Sequence, residues 1–369
     1  MNPIAEAVRR SDVLVCVGSG GVGKTTVAAT IALRAAVEGK TSLVCTIDPA
    51  RRLANSLGLE LLGNAESRIA PALLEQTGQQ AQGELFAMML DMKRTWDELI
   101  ERNAAPDKRD KILNNRFYQA LSTALAGSQE YIAIEKLWEL RTQRNYPLVV
   151  LDTPPTAHAL DFLDAPNRIL DFLDNEAAKW LLTPALAAGK VGLKLFNLGS
   201  SYVAKTISRF TGTETLQELA SFMLALSGLN DAFRERAQQT RALLAAETTS
   251  FVLVTGPMAE RLDEAIYFHT VLQQHHLKVA AIVVNRVHRL VPARAWEDAS
   301  QLPADLRARV VKTLDEAEAN AQSDRRSIER LKASCPGTPL ILVPRFERDV
   351  HDIGSLWQTS VHLFEPEAQ

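Results

Sequence analysis

The stretch Val13-Leu14-Val15-Cys16-Val17-Gly18-Ser19-Gly20-Gly21-Val22-Gly23-Lys24-Thr25-Thr26 decides how this chain is read. A short apolar run leads into a glycine-rich turn, and a helix-forming run from Thr26 to Ala36 follows. Gly18 to Thr25 fits G-x-x-x-x-G-K-[ST], and strand-before, helix-after is the context in which that pattern has physical meaning. Glycines let successive backbone N–H groups turn inward around an anion. The start of the helix adds its positive dipole end. In such a loop Lys24 would contact the β- and γ-phosphates of a nucleoside triphosphate, and the Thr25 hydroxyl would ligate Mg²⁺. The expected nucleotide-binding residues are therefore Gly20, Gly21, Val22, Gly23, Lys24, Thr25 and Thr26. Gly18, Gly20 and Gly23 also satisfy G-x-G-x-x-G, with Asp48 ending the next apolar run, as in a dinucleotide-binding fingerprint. Lys24 and Thr25 tell against that reading, because a triphosphate needs both and a dinucleotide needs neither.

Working outward, further apolar runs occur at Ser42 to Ile47, Leu85 to Leu90, Leu148 to Leu151, Phe251 to Val254, Val279 to Val284 and Leu340 to Val343. They are β-branched-rich and nearly continuous, which suits strands covered on both faces. Helical patterns lie between them. The expected fold class is α/β, a doubly wound, mostly parallel sheet of the P-loop type with an inserted helical subdomain. We expect one such domain over residues 1–369, with helical insert segments at roughly 92–145 and 165–247 where the strand runs are widely spaced. Within the second insert, Leu216, Leu219, Met223, Leu226, Phe233 and Ala237 fall at helical steps with Asn230 in the same stripe; Phe222, Leu224 and Leu229 widen it. That face is either core or a groove for a partner helix. The apolar stretch containing Trp180, Leu181, Leu182, Leu186, Val191, Leu193, Leu195, Phe196 and Leu198 likewise reads as core, groove lining or membrane-surface contact.

Bulk composition removes several function classes. Lys plus Arg number 41 against 44 Asp plus Glu, a net charge of −3, which argues against a dedicated nucleic-acid binder. The three cysteines, Cys16, Cys45 and Cys335, include no C-x-x-C, so neither a zinc clasp nor a redox pair is expected. Sparse cysteine, no visible signal peptide and no apolar run long enough to span a bilayer lead to a cytoplasmic expectation.

Other strand ends carry the remaining candidates. Leu148 to Leu151 ends in Asp152, a carboxylate placed to hold Mg²⁺ or its water; Thr153-Pro154-Pro155-Thr156 after it is a candidate γ-phosphate sensor. Asp48, fixed by Pro49, could orient or deprotonate an attacking water, or cap the following helix. Thr25, Asp48 and Asp152 form the expected metal-linked set, and Lys24, Asp48 and Asp152 the expected catalytic set. Asn285, at the end of Val279 to Val284, has the donor and acceptor needed to pair with an adenine edge. Pro344 and Arg345 would flank the base. Each of these is also readable as a simple strand-end turn.

Gly18 to Thr26, Cys45-Thr46-Ile47-Asp48-Pro49-Ala50, Asp152-Thr153-Pro154-Pro155-Thr156-Ala157-His158, Val283-Val284-Asn285 and Val343-Pro344 together resemble the arsenical-pump and tail-anchored-protein-targeting ATPase family, ArsA-like members of the MinD/ParA-related deviant Walker class. The resemblance covers nearly the whole chain. It implies an Mg²⁺-dependent ATPase that binds ATP and ADP and works as a dimer, here a homodimer or a heterodimer, since one ATPase unit is present. By motif position it implies that Asp48 is the hydrolysis aspartate, that Asp152 to His158 form a switch, and that Asn285 reads adenine. It also implies a hydrophobic client helix or membrane protein as partner.

Three departures qualify the resemblance. The family loop usually begins Gly-Lys-Gly-Gly, and its lysine reaches the partner subunit's phosphates; here that position is Ser19. Arg51 and Arg52 follow Asp48-Pro49-Ala50 and are candidates for the missing charge. No thiol ligands for arsenite and no paired cysteines for a bridging zinc are expected. Two other readings stay open: a low-turnover nucleotide-binding subunit of a heteromeric complex, and a MinD/ParA-like positioning ATPase.

Overall fold

A computed structural model of the chain describes residues 2–47, 52–124, 128–154, 222 and 230–365. Asp48 to Arg51, Pro155 to His158, the Trp180 to Leu198 stretch, and Leu216, Leu219, Met223, Leu224, Leu226 and Leu229 of the apolar stripe lie outside the described residues. The Arg52 side chain does too.

Among the described residues eight strands form one sheet: β1 (Val13–Val17), β2 (Ser42–Thr46), β3 (Ser67–Arg68), β4 (Leu85–Met89), β5 (Leu148–Asp152), β6 (Thr249–Thr255), β7 (Val279–Val287) and β8 (Leu340–Pro344). Their order is β3-β4-β2-β5-β1-β6-β7-β8. Every pairing is parallel except β3 with β4. The seven long strands coincide with the seven apolar runs, as the α/β reading requires. Only β3, two residues without an apolar pattern, had no sequence signal. Central β1, β2, β5 and β6 are buried at every position. Edge strand β8 alternates buried and half-buried residues.

The helices are α1 (Pro3–Arg10), α2 (Lys24–Val37), α3 (Arg52–Ser56), α4 (Pro71–Leu74), α5 (Met92–Asn103), α6 (Pro106–Leu113), α7 (Arg116–Ala124), α8 (Ser128–Thr142), α9 (Asn230–Ala245), α10 (Ala259–Gln274), α11 (Ala293–Ser300), α12 (Ala304–Ser334) and α13 (Ile353–Phe364). Among the described residues no helix is long and apolar enough to cross a membrane. Helix α2 begins two residues before the sequence pattern suggested, because Lys24 and Thr25 already belong to its first turn. Its Ala28, Ala29, Ile31, Ala32, Leu33, Ala35 and Ala36 are fully buried, as expected of a helix apolar on all sides. Its one long charged side chain beyond that first turn, Arg34, lies over the rings of Trp357 and Phe364 of α13, 5.0 and 5.2 Å from their centroids, and pairs with Glu38 and Glu365. Helix α13 is started by a capping box: Ser355 N donates to Asp352 Oδ1 at 2.7 Å, and Asp352 N donates back to Ser355 Oγ at 3.2 Å.

The chain divides into two compact units. One holds the sheet and comprises Met1–Leu90, Leu137–Leu160 and Leu243–Gln369; the other comprises Asp91–Lys136 and Asp161–Ala242. In the second unit the Trp96 ring stacks on Tyr131 with centroids 5.5 Å apart, and Phe233 lies 6.2 Å from Tyr131. Phe233 and Ala237 of the predicted stripe are buried, as is Phe222, which sits against Tyr118. Arg236 pairs with the buried Glu135 at 3.4 Å. The Tyr118 hydroxyl donates to Asp97 at 2.7 Å, and burial with that carboxylate raises its pKa.

Gly18 is the tightest backbone constraint in the first unit. Its φ is +146°, and an added Cβ would fall onto the Val254 carbonyl of β6. Gly337 also has positive φ (+79°) but open space around it. Gly337→Ala should therefore cost about 1 kcal/mol from backbone conformation alone. Gly18→Ala should cost about 3 kcal/mol or more, because the clash adds to it. Urea denaturation of the two variants checks the order; equal losses would contradict the close approach.

Candidate nucleotide-binding site

Strand β1 lies between β5 and β6. The chain after it first builds sheet on one side, and the later strands lie on the other. Its carboxyl end is thus a topological switch point, where open α/β sheets leave a crevice for ligands. Strand register fixes what lines that end. Cys16 of β1 and Thr46 of β2 both pair with Asp152 of β5. The Asp152 carboxylate, 1% exposed, accepts from Thr46 Oγ1 at 2.8 Å and from Thr25 Oγ1 at 2.6 Å, both on Oδ2. The Cys16 thiol beneath it is pushed far up in pKa, first by burial and then by the Asp152 charge, although Lys24 opposes this. It stays a neutral, inert thiol. The next residue after Asp152, Thr153, is tied to the Cys16 carbonyl by its hydroxyl at 2.9 Å and its backbone N at 3.3 Å.

The loop above these residues has positive φ at Gly18, Gly21 and Gly23. At Gly23 an added Cβ would meet the Asn285 amide. That amide clasps the loop: Nδ2 donates to the Val22 carbonyl at 2.9 Å, while Oδ1 accepts from Arg286 N at 2.9 Å. The β7–β8 register shifts between Val284 and Val287. Arg286, inside that irregularity, takes a left-handed φ of +62°. Its guanidinium reaches the Gly21 carbonyl at 3.4 Å.

Lys24 is 6% exposed, and its ammonium donates to the Ser19 carbonyl at 2.9 Å. The Ser19 hydroxyl oxygen is buried without a hydrogen-bond partner among the described residues. Helix α2 has Gly23 as its N-cap, with no side-chain cap and no acidic residue in its first turn. Among the described residues no side-chain acceptor caps its leading N–H groups and dipole end. An anion fits there for three independent reasons: a helix start without a side-chain cap, a buried lysine, and a loop held close to its neighbours at Gly18 and Gly23, where an added Cβ would clash. The Thr25 hydroxyl and Asp152 carboxylate, in contact with each other, form an all-oxygen pair suited to a hard cation such as Mg²⁺.

The structure brings Gly20, Gly21, Val22, Gly23, Lys24, Thr25, Thr26 and Asp152 together, with Asn285 against them. Asn285 was expected at the adenine edge. Here its amide holds the loop, leaving one Nδ2 proton for another acceptor. Pro344 ends β8; Arg345 N donates to the Val287 carbonyl at 2.9 Å. Asp48, the third member of the expected metal-linked set, lies outside the described residues. Thr153 belonged to the expected γ-phosphate sensor and Thr46 was quoted only within a motif, whereas Arg286, His288 and Asp324 were not singled out beforehand. Thr46 could have been found from strand register, since it immediately precedes Ile47-Asp48 on a strand neighbouring β5. The others depend on tertiary contacts with no local pattern.

A switch-point loop of this form on a parallel sheet defines a P-loop nucleotide-binding fold. Residues 11–319 match the family model described as anion-transporting ATPase, and the chain belongs to that family. It is 28% identical over 288 residues to ATPase GET3B of Arabidopsis thaliana, covering 73% of this chain and 62% of the relative. It is 26% identical over 272 residues to ATPase get3 of Schizosaccharomyces japonicus, covering 73% and 72% respectively. To ATPase ARSA1 of Chlamydomonas reinhardtii it is 26% identical over 283 residues, a match covering 73% of this chain but only 34% of the algal protein. The chain thus spans less than two thirds of the length of the plant and algal relatives.

Removing the Asn285 clasp should loosen the loop without unfolding the sheet. Asn285→Ala is expected to weaken nucleotide binding by about 1–3 kcal/mol. Asn285→Asp should do at least as much harm, because a carboxylate oxygen would then face the Val22 carbonyl. Fluorescent-nucleotide titration measures both; wild-type affinity in Asn285→Asp would show that the clasp is dispensable.

Proposed function

We propose that this protein is an Mg²⁺-dependent ATPase that uses ATP binding and hydrolysis to control a paired-subunit state and, through it, an apolar or membrane-linked partner. The observation that carries the reading is the Thr25–Asp152 contact of 2.6 Å at the start of an uncapped helix whose first residue is the buried Lys24. Family membership supports the ATPase part. ATP would enter with its β- and γ-phosphates over the loop N–H groups and the α2 start. Lys24 would exchange its bond to the Ser19 carbonyl for phosphate oxygens, so a charge that is already desolvated is available for phosphate. Thr25 and Asp152 would hold Mg²⁺, which when bound neutralises charge developing on the β- and γ-phosphate oxygens. Asp48 is assigned the water-orienting role by its motif position. Thr153, tied to the Cys16 carbonyl, fixes the start of the segment after Asp152 that would respond to the γ-phosphate.

Dimerisation, the hydrophobic client and a cytoplasmic setting belong to the same proposal and rest on family resemblance. One observation favours a second reading, a nucleotide-binding subunit with little turnover. The position where the family's loop usually carries a lysine is Ser19, and it supplies Lys24 with a carbonyl, not a partner subunit with a charge.

Steady-state phosphate release separates the readings. Wild type should turn over ATP in Mg²⁺, with Lys24→Ala and Asp48→Asn slower by on the order of a hundredfold or more. Tight ATP binding by wild type with no difference in phosphate release among the three proteins would favour the low-turnover subunit. Light scattering of Asp48→Asn with ATP should show a mass shift to the dimer; an unchanged monomer would sink the homodimer part.

A further inference from the structure

Helix α12 grips the chain leaving β7 at two points. Asp324 Oδ2 accepts from both His288 N and His288 Nδ1, each at 2.8 Å. Nearly two turns earlier on the helix, Glu318 Oε2 accepts from Val291 N at 3.0 Å. That bond, and then one from the Gln322 amide, holds the Glu318 carboxyl below the ordinary carboxylate range. Along the whole of α12 only Ala321, Asp324 and Leu331 are buried. Docking alone would be served by an apolar side chain at 324, as it is at 321 and 331. A carboxylate buried there is unfavourable unless its hydrogen bonds are made. Asp324 makes them to the backbone and ring of His288, so it fixes the path of that segment as well as the packing of the helix.

The same short segment carries the clasp on the phosphate loop. Asn285 holds the Val22 carbonyl and Arg286 reaches the Gly21 carbonyl, two or three residues before His288. Between clasp and α12 lies the left-handed backbone of Arg286, φ +62°, inside the β7–β8 irregularity. A non-glycine residue persists in that conformation only where its surroundings impose it, and such positions gather at ligand clamps and switches. Here the phosphate loop constrains the segment on one side and α12 on the other. An anion on the loop N–H groups needs the Gly21 and Val22 carbonyls turned away from it, which is the arrangement the clasp holds. Each side therefore stabilises the geometry the other requires.

We propose that α12 and the phosphate loop are linked through the exit of β7, with Asp324 and Glu318 as positioning residues. A nucleotide on the loop tightens the hold of α12 on the segment, and that hold in turn strengthens nucleotide binding. Linkage of this kind is reciprocal, so the two effects share one factor. The inference rests on the nucleotide-site reading above and adds a means of regulating that site from a helix outside the loop.

Hydrogen exchange read by mass spectrometry, with and without saturating ADP and Mg²⁺, tests one direction; calorimetric titration of ADP tests the other. In wild type, ADP should slow exchange about fivefold across residues 286–291 and 318–331. Asp324→Ala and Glu318→Ala should each weaken ADP by about the same factor and lose the slowing in α12, while the phosphate loop remains protected by bound ADP. Adding Asp324→Ala to Asn285→Ala should weaken ADP no further, because both changes act through one path. Arg286→Gly separates positioning from stability. Glycine takes the left-handed backbone without strain, so the melting temperature should hold or rise while ADP affinity falls. The proposal is overturned if ADP leaves α12 exchange unchanged in wild type, or if either carboxylate variant binds ADP as wild type does. It is equally overturned if the losses in Asp324→Ala and Asn285→Ala simply add, or if Arg286→Gly keeps wild-type affinity. A wild type that binds no ADP would remove the nucleotide reading and this proposal with it, a result distinct from all of these.

Discussion

Everything at the nucleotide end of the sheet depends on one carboxylate having one position. Asp152 is set by parallel register against β1 on one side and β2 on the other, and threonine hydroxyls from β2 and α2 converge on the same oxygen. A one-residue slip of β5 would turn its side chain to the other face of the sheet, removing the acceptor from both threonines at once. Uniform burial of the central strands guards against such a slip, since β5 cannot shift without disturbing the layers on both faces. Site geometry and sheet stability are thus parts of a single constraint.

That constraint explains what was legible in the sequence. Seven of the eight strands could be read because strands covered on both faces need continuous apolar residues, as the run from Leu148 to Leu151 shows. The loop could be read because a phosphate cradle needs glycine, lysine and a hydroxyl at fixed spacing. Strand β3 could not, being a two-residue antiparallel edge that buries almost nothing. Nor could the Asn285 clasp. The residue was noticed as a base reader, but its partner in the structure is a backbone carbonyl 263 positions away. Asp324 and His288, separated by 36 positions, carried no signal, because a lone acid on a long charged helix reads as solvated until a fold brings a histidine to it.

Lys24 illustrates how the loop is prepared for its ligand. Burying an ammonium is unfavourable unless it is hydrogen-bonded, and the Ser19 carbonyl meets part of that need at 2.9 Å. The bond is local and its acceptor neutral, so a phosphate oxygen is the stronger partner. Around it, Asn285 and Arg286 hold the outward-facing carbonyls of Val22 and Gly21, which leaves the loop's N–H groups as the side available to an anion. The irregularity in β7 that gives Arg286 its left-handed backbone is what allows both side chains to reach the loop.

Helix α2 has a consequence for mutational drift. Five of its fully buried positions, Ala28, Ala29, Ala32, Ala35 and Ala36, are alanines, and a close-packed interior has no room for a larger side chain at such sites without displacing its neighbours. Displacing this helix moves Lys24 and Thr25 with it, since they form its first turn. The alanines are therefore as much a part of the phosphate site as the glycines. Descendants of this sequence should be nearly as restricted along this helix as in the loop, although none of these alanines would touch a nucleotide.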